Sequence, residues 1–148
     1  MEMHDMGIPS VDLADFIHGD AETKTAFVKA LGAAYEDIGF VAVRNHLIDQ
    51  ATVKELYEQV QAFFELPEDT KKKYEVVELA GQRGYTSFGR EHAKGSNAGD
   101  LKEFWHTGQM VDDPNDPAAQ EYPPNIDCEE LPEFNALSKE AFRTLENT

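Results

Sequence analysis

Between Ile38 and His46 the chain reads IGFVAVRNH, and its first two residues constrain what the rest can become. Upstream, Phe27, Leu31, Ala34, Tyr35 and Ile38 recur at helical spacing, and Gly39 stands where helices commonly end in a left-handed residue. Residues 40–44 follow at once, short and rich in Val and Phe, which predicts a strand with Val41 and Val43 on one face. A helix that runs into a strand with almost no loop is an αβ unit, and such a strand needs neighbours to pair with.

Other elements follow from the same kind of reading. Residues 8–13 predict a short edge strand through Ile8, Val11 and Leu13, with Pro9 near its start. Asp20 is the expected N-cap of the helix that ends at Gly39. Asp49 is the expected cap of a second helix, whose stripe of Val53, Leu56, Tyr57, Val60, Phe63 and Phe64 is ended by Leu66-Pro67. Residues 68–74 add a brief helical turn. Five glycines between Ala80 and Gly99 predict a loop. Residues 101–107 then predict a strand with Leu101, Glu103, Trp105 and Thr107 on one side and Lys102, Phe104 and His106 on the other. Five of the seven prolines, with many carboxylates, fall in 111–133. A last helix begins at Pro132 and carries Phe134, Leu137, Ala141, Phe142 and Leu145. Three short strands separated by helices leave unpaired edges, so the sequence reads as part of a larger chain.

Composition excludes several classes of function. With 29 acidic against 13 basic residues, the formal net charge of -16 repels a phosphate backbone and an anionic membrane surface, which argues against nucleic acid and membrane as partners. Because the carboxylates are spread over the whole length, they read as a solvated surface rather than a docking patch. Hydrophobic residues make up 41% and aromatics 10%, enough for a folded core. The single cysteine, Cys128, forms no internal disulfide. With no signal-like start or bilayer-length apolar run, it suggests a cytoplasmic protein. No GxSxG elbow, phosphate loop, HExxH or CxxC occurs.

IGFVAVRNH, followed by GYTSFGRE and DLKEFWHTG and preceded by IPSVDL, resembles the N-terminal region of the non-haem iron, 2-oxoglutarate-dependent dioxygenases, the isopenicillin N synthase-like family. The resemblance covers nearly the whole chain. It implies an α+β fold whose N-terminal helices and short strands pack on and extend a jelly-roll (double-stranded β-helix), with the C-terminal part of that jelly-roll missing from this chain. The expected organisation is a dioxygenase N-terminal domain over 1–110, a Pro- and acid-rich connection over 111–131, and over 132–148 the start of a helix leading to the catalytic jelly-roll. Fe(II) and 2-oxoglutarate are implied for the parent enzyme and neither for this chain alone. The implied reaction oxidatively decarboxylates 2-oxoglutarate to succinate and carbon dioxide and drives hydroxylation, desaturation or cyclisation of a small-molecule substrate. The implied partner is the C-terminal jelly-roll of the same protein, and the chain by itself is expected to be inactive.

No catalytic residue and no metal ligand is expected within the chain. Of its histidines, His4, His18, His46, His92 and His106, only His18-Gly19-Asp20 has His-x-Asp spacing, in a predicted loop where Asp20 is needed as a cap. His46 is expected to hold its turn through ring hydrogen bonds. The resemblance carries the family's substrate-side positions onto Gly84-Tyr85 and the KEFWH strand. The substrate-binding candidates are therefore Arg83, Tyr85, Phe104 and His106. Arg90 flanks the same loop and is expected in a surface salt bridge, while Trp105 is expected in the core. A second reading, of a different class, is a non-catalytic acidic protein-interaction module with a dioxygenase-like N-terminal fold.

Overall fold

The structure is a computed structural model that describes residues 7–90 and 99–148. It divides into two compact units, one over Met1–Leu47 with Thr148 and the other over Ile48–Asn147.

In the first unit, β1 (Ser10–Asp12) pairs in parallel with β2 (Ala42–Arg44), joined through α1 (Leu13–His18) and α2 (Ala21–Asp37). The Asp20 carboxylate accepts from Thr23 N at 2.9 Å to cap α2, and Gly39 leaves the helix at φ +84°, both as the sequence predicts. Of the expected stripe, Ala34 is buried, Phe27 and Leu31 are half-buried, and Tyr35 and Ile38 are exposed.

Helix α1 is a departure from the sequence reading, which carried the strand through Leu13 and put His18 in a loop. Asp12 ends the strand by capping Ala14 N at 3.0 Å, so the helix starts one residue later. The turn after β2 also differs. Asn45, at φ +52°, donates from Nδ2 to both carboxylate oxygens of Asp12 at 2.9 and 2.7 Å. The His46 ring makes no hydrogen bond to a described residue.

The second unit contains α3 (Gln50–Phe64), capped by Asp49 through Thr52 N at 2.8 Å, and α4 (Glu68–Lys72). A 3-10 turn (Val77–Leu79) leads into β3 (Gly84–Thr86), which pairs antiparallel with β4 (Phe104–His106). After a second 3-10 turn (Pro117–Gln120), α5 (Pro132–Glu146) packs along α3.

Phe63, Tyr74, Tyr85, Cys128 and Phe134 form the core, with Trp105 packed against it. Phe63 stacks on Phe134 at 5.2 Å between centroids and meets Trp105 edge-on at 4.7 Å. Tyr57, placed in the α3 stripe by spacing, is instead 73% exposed.

Strand β3 lies inside the segment predicted to be a glycine loop. Gly84 explains it: at φ +72° its backbone passes so close to Tyr74 that a Cβ would sit 2.5 Å from the Tyr74 carbonyl oxygen. The next residue, Tyr85, is then delivered into the core. Strand β4 is shorter than expected, and Leu101 is 95% exposed.

Candidate functional site

The β3–β4 ribbon has two faces, and its register assigns each residue to one of them. Tyr85 lies opposite Trp105, and both turn toward Phe63. Thr86 lies opposite Phe104 and Gly84 opposite His106, so these four share the other face.

On the inner face, a carboxylate holds two donors. Glu103 Oε2 accepts from the Tyr85 hydroxyl at 2.5 Å and from Lys71 Nζ at 2.7 Å. Lys71 is only 6% exposed. Its ammonium also donates to the Phe64 carbonyl at 3.2 Å and lies 5.5 Å from the Tyr85 ring centroid. Burial, and then the bond to Glu103, push the Tyr85 hydroxyl well above the ordinary phenol range. Tyr85 is thus a neutral donor locked into the core. Lys71 and Glu103 form a pair that sequence reasoning missed, because 32 residues separate them.

Arg83 is also buried. Its guanidinium donates to the carbonyls of Gln82 at 2.7 Å, Pro123 at 3.1 Å and Gln109 at 3.4 Å, tying three stretches of chain together. Gly108 makes room for it, since a Cβ there would lie 2.3 Å from the guanidinium. Asn125 completes the arrangement by exchanging hydrogen bonds with the Gly108 backbone at 2.8 and 3.0 Å.

The outer face is more open. His106 is exposed, and its Nδ1 meets the Gly81 carbonyl oxygen at 2.5 Å. A carbonyl only accepts, so Nδ1 carries the proton in this contact, and Nε2 is the ring nitrogen left for another partner. The Phe104 ring lies 4.8 Å from the His106 ring and 5.6 Å from Lys102 Nζ. Beside them a cavity of about 270 Å³ is lined by Glu75, Val76, Val77, Gly81, Thr86 and Arg90, among others. Arg90 pairs with Glu75 at 3.3 Å, the surface-type salt bridge its position suggested. Alternation along Gly84-Tyr85-Thr86 is the signal that places Thr86 here, and it is hidden when the segment is read as a loop.

A facial-triad iron centre needs two imidazoles and a carboxylate on one side of the metal. Among the described residues, no group of three or more His, Cys, Asp or Glu side chains is arranged to hold a metal ion. His18 ends α1, Asp20 is committed to capping α2, and His106 Nδ1 is committed to Gly81. The described residues therefore do not fit a mononuclear iron site. His4 and His92 lie outside them.

The order of these elements and their sequence have counterparts among known proteins. A family model described as non-haem dioxygenase in morphine synthesis N-terminal matches residues 8–130. The chain belongs to this dioxygenase N-terminal family. The proline hydroxylase buaE of Petromyces alliaceus is 30% identical over 144 residues, covering 93% of this chain and 43% of that protein. The 2-oxoglutarate-dependent dioxygenase frbA of Dothideomycetidae sp. (strain 11243) is 32% identical over 120 residues, covering 73% of this chain and 36% of that protein. A solved 2OG-Fe(II) oxygenase family protein from Caulobacter crescentus is 34% identical and superposes with a TM-score of 0.77 over 95% of this chain and 44% of its own. The mixed arrangement of helices and small strands is thus that of 2-oxoglutarate oxygenases, and the chain spans less than half the length of these relatives. No helix among the described residues is long and apolar enough to cross a membrane.

Proposed function

We propose that this chain is the N-terminal portion of a 2-oxoglutarate- and Fe(II)-dependent dioxygenase that oxidises a small molecule by hydroxylation, desaturation or cyclisation. The observation that carries this reading is the 34% identity and TM-score of 0.77 to a 2OG-Fe(II) oxygenase family protein over 95% of the chain. The relatives named as 2-oxoglutarate-dependent dioxygenase and proline hydroxylase point the same way. Iron and 2-oxoglutarate belong, in this reading, to a C-terminal jelly-roll of the same protein, and residues 1–110, 111–131 and 132–148 serve as N-terminal domain, connection and lead-in helix.

The chain's own contribution is to shape the substrate side. The outer face of the β3–β4 ribbon meets substrate, with Phe104 supplying an apolar ring and His106 an acceptor at Nε2. Tyr85 and Arg83 act from behind that face. Tyr85 anchors β3 to Glu103, and Arg83 fixes the flanking backbone through its three carbonyls. Neither residue holds or moves a proton of the substrate in this arrangement.

The test is succinate formation by the full-length protein supplied with Fe(II), 2-oxoglutarate and oxygen. Succinate should accumulate, and a cognate small molecule should accelerate it. A folded, metal-loaded protein that releases none across a broad panel of small molecules overturns the assignment.

A further inference from the structure

Another cavity lies between the stretch 109–125 and α5. Its volume is about 460 Å³, inside the span of roughly 300–1,000 Å³ that small-molecule sites occupy. Met110, Val111, Tyr122 and Pro123 give it apolar walls, and its charged lining among the described residues is Asp112, Lys139 and Arg143. Neither Phe104 nor His106 lines it. The walls are fixed from behind. Arg83 holds the carbonyls of Pro123 and Gln109 at 3.1 and 3.4 Å, and Asn125 is locked to the Gly108 backbone. Walls held in this way need little ordering when a ligand enters.

The two cations are not equally committed. Lys139 Nζ lies 2.6 Å from Asp127 Oδ1. Arg143 meets Asp112 at one point, Nη2 donating to Oδ1 at 3.1 Å, and the two side chains are 56% and 84% exposed. An ion pair so open to water contributes little. Asp112 comes from one wall of the cavity and Arg143 from the other, so their contact is within a ligand's reach. A guanidinium offers paired N–H groups that match a carboxylate, and Asp112 uses that fork at a single oxygen. A ligand carboxylate that displaces Asp112 can take both bonds. A cationic ligand would instead meet Lys139 and Arg143, with Asp112 already held.

We propose that this cavity binds a monocarboxylate with a compact apolar body, its carboxylate taking the place of Asp112 on Arg143 and its body lying among Met110, Val111 and Tyr122. The site does not depend on the outer face of the ribbon meeting substrate.

The probe is benzoate, titrated into the full-length protein and followed by NMR at the Met110 and Val111 methyl resonances, with benzamide as its neutral counterpart and benzylammonium as the cationic one. Benzoate should give a saturable shift, with benzamide about tenfold weaker and benzylammonium giving none. Arg143→Gln removes the charged donor pair and should weaken benzoate about tenfold. Asp112→Asn removes the competing carboxylate and should tighten benzoate about threefold, the scale of an exposed ion pair. That gain in affinity is a result a folding defect cannot imitate.

The absence of a saturable benzoate shift overturns the proposal, as does a benzamide or benzylammonium affinity equal to that of benzoate. So does a benzoate affinity that Arg143→Gln leaves unchanged, or that Asp112→Asn leaves unchanged or lowers.

Discussion

The Tyr85 hydroxyl donates to Glu103 Oε2 at 2.5 Å, which turns Tyr85 into the core and makes one carboxylate the hinge point between β3, β4 and α4. Lys71 reaches the same oxygen from α4 at 2.7 Å. The side chains of this ion pair are only 8% and 16% exposed, so neither partner falls back on bulk water when the other is removed.

Glu103→Ala should therefore destabilise the protein by about 3–5 kcal/mol, the scale for stranding one member of a buried pair. Glu103→Gln should cost less, because its amide oxygen still accepts from one donor. Urea denaturation of both variants measures this. A loss below about 1 kcal/mol in Glu103→Ala would show that the Lys71 ammonium finds water after all.

Gly84 and Gly89 offer a paired test of backbone geometry. Both have left-handed φ, +72° and +76°. Only Gly84 also faces a wall, with the Tyr74 carbonyl 2.5 Å from its would-be Cβ, whereas nothing among the described residues lies within 4 Å of a would-be Cβ at Gly89. Gly89→Ala should cost about 1–2 kcal/mol from the backbone alone, and Gly84→Ala clearly more, because β3 must shift off Tyr74. Thermal melts of the two variants decide it, and equal losses would mean that the strand yields without strain.

What the sequence revealed and what it concealed divides by range. Asp20, Asp49 and Gly39 work within a few residues of themselves, and all three are found as predicted. Alternation along 101–107 likewise put Phe104 and His106 on one face and Trp105 on the other, as the register bears out. Helix α1 and strand β3 were hidden because distant groups make them. Asp12 is fixed by Asn45, 33 residues away, and β3 exists through its pairing with β4. Arg83 shows the same limit. Its neighbours Gly84-Tyr85 draw attention to it, yet nothing local says that its guanidinium closes on carbonyls as far away as Pro123.

The segment around Cys128 and Glu130 docks onto Tyr74, and its pH dependence has a definite sign. The Tyr74 hydroxyl donates to Glu130 Oε2 and accepts from Glu129 N at 2.9 Å. The Tyr74 bond, then Glu130's own backbone N–H, with a further contribution from Lys73, hold the Glu130 carboxyl at about 2, against 4.5 ordinarily. A carboxyl depressed in the folded state contributes stability that is fully present above pH 4.5 and fades as the pH falls toward 2. Tyr74 behaves oppositely. Burial and then Glu130 raise it to about 12 from 10.0, so its contribution is present below pH 10.0 and fades toward 12. Tyr74→Phe should move Glu130 back toward 4.5, read by NMR titration of the Glu130 carboxyl carbon. An unmoved Glu130 in that variant would assign the shift to Lys73 and the backbone instead.

His106 allows its two ring nitrogens to be separated. Nδ1 holds the Gly81 carbonyl, a contact that an asparagine amide can reproduce, whereas Nε2, the atom proposed to meet substrate, has no equivalent in asparagine. His106→Asn should therefore keep the Gly81 turn and its stability while losing the acceptor. His106→Ala loses both. If Nε2 accepts a hydrogen bond from substrate, the two variants should raise KM by a similar factor, about 2–10-fold for one neutral hydrogen bond, with kcat little changed, and only His106→Ala should lower the melting temperature. A KM that rises in His106→Ala but stays put in His106→Asn would confine His106 to holding Gly81. Phe104 would then be left as the side chain of β4 that meets the substrate.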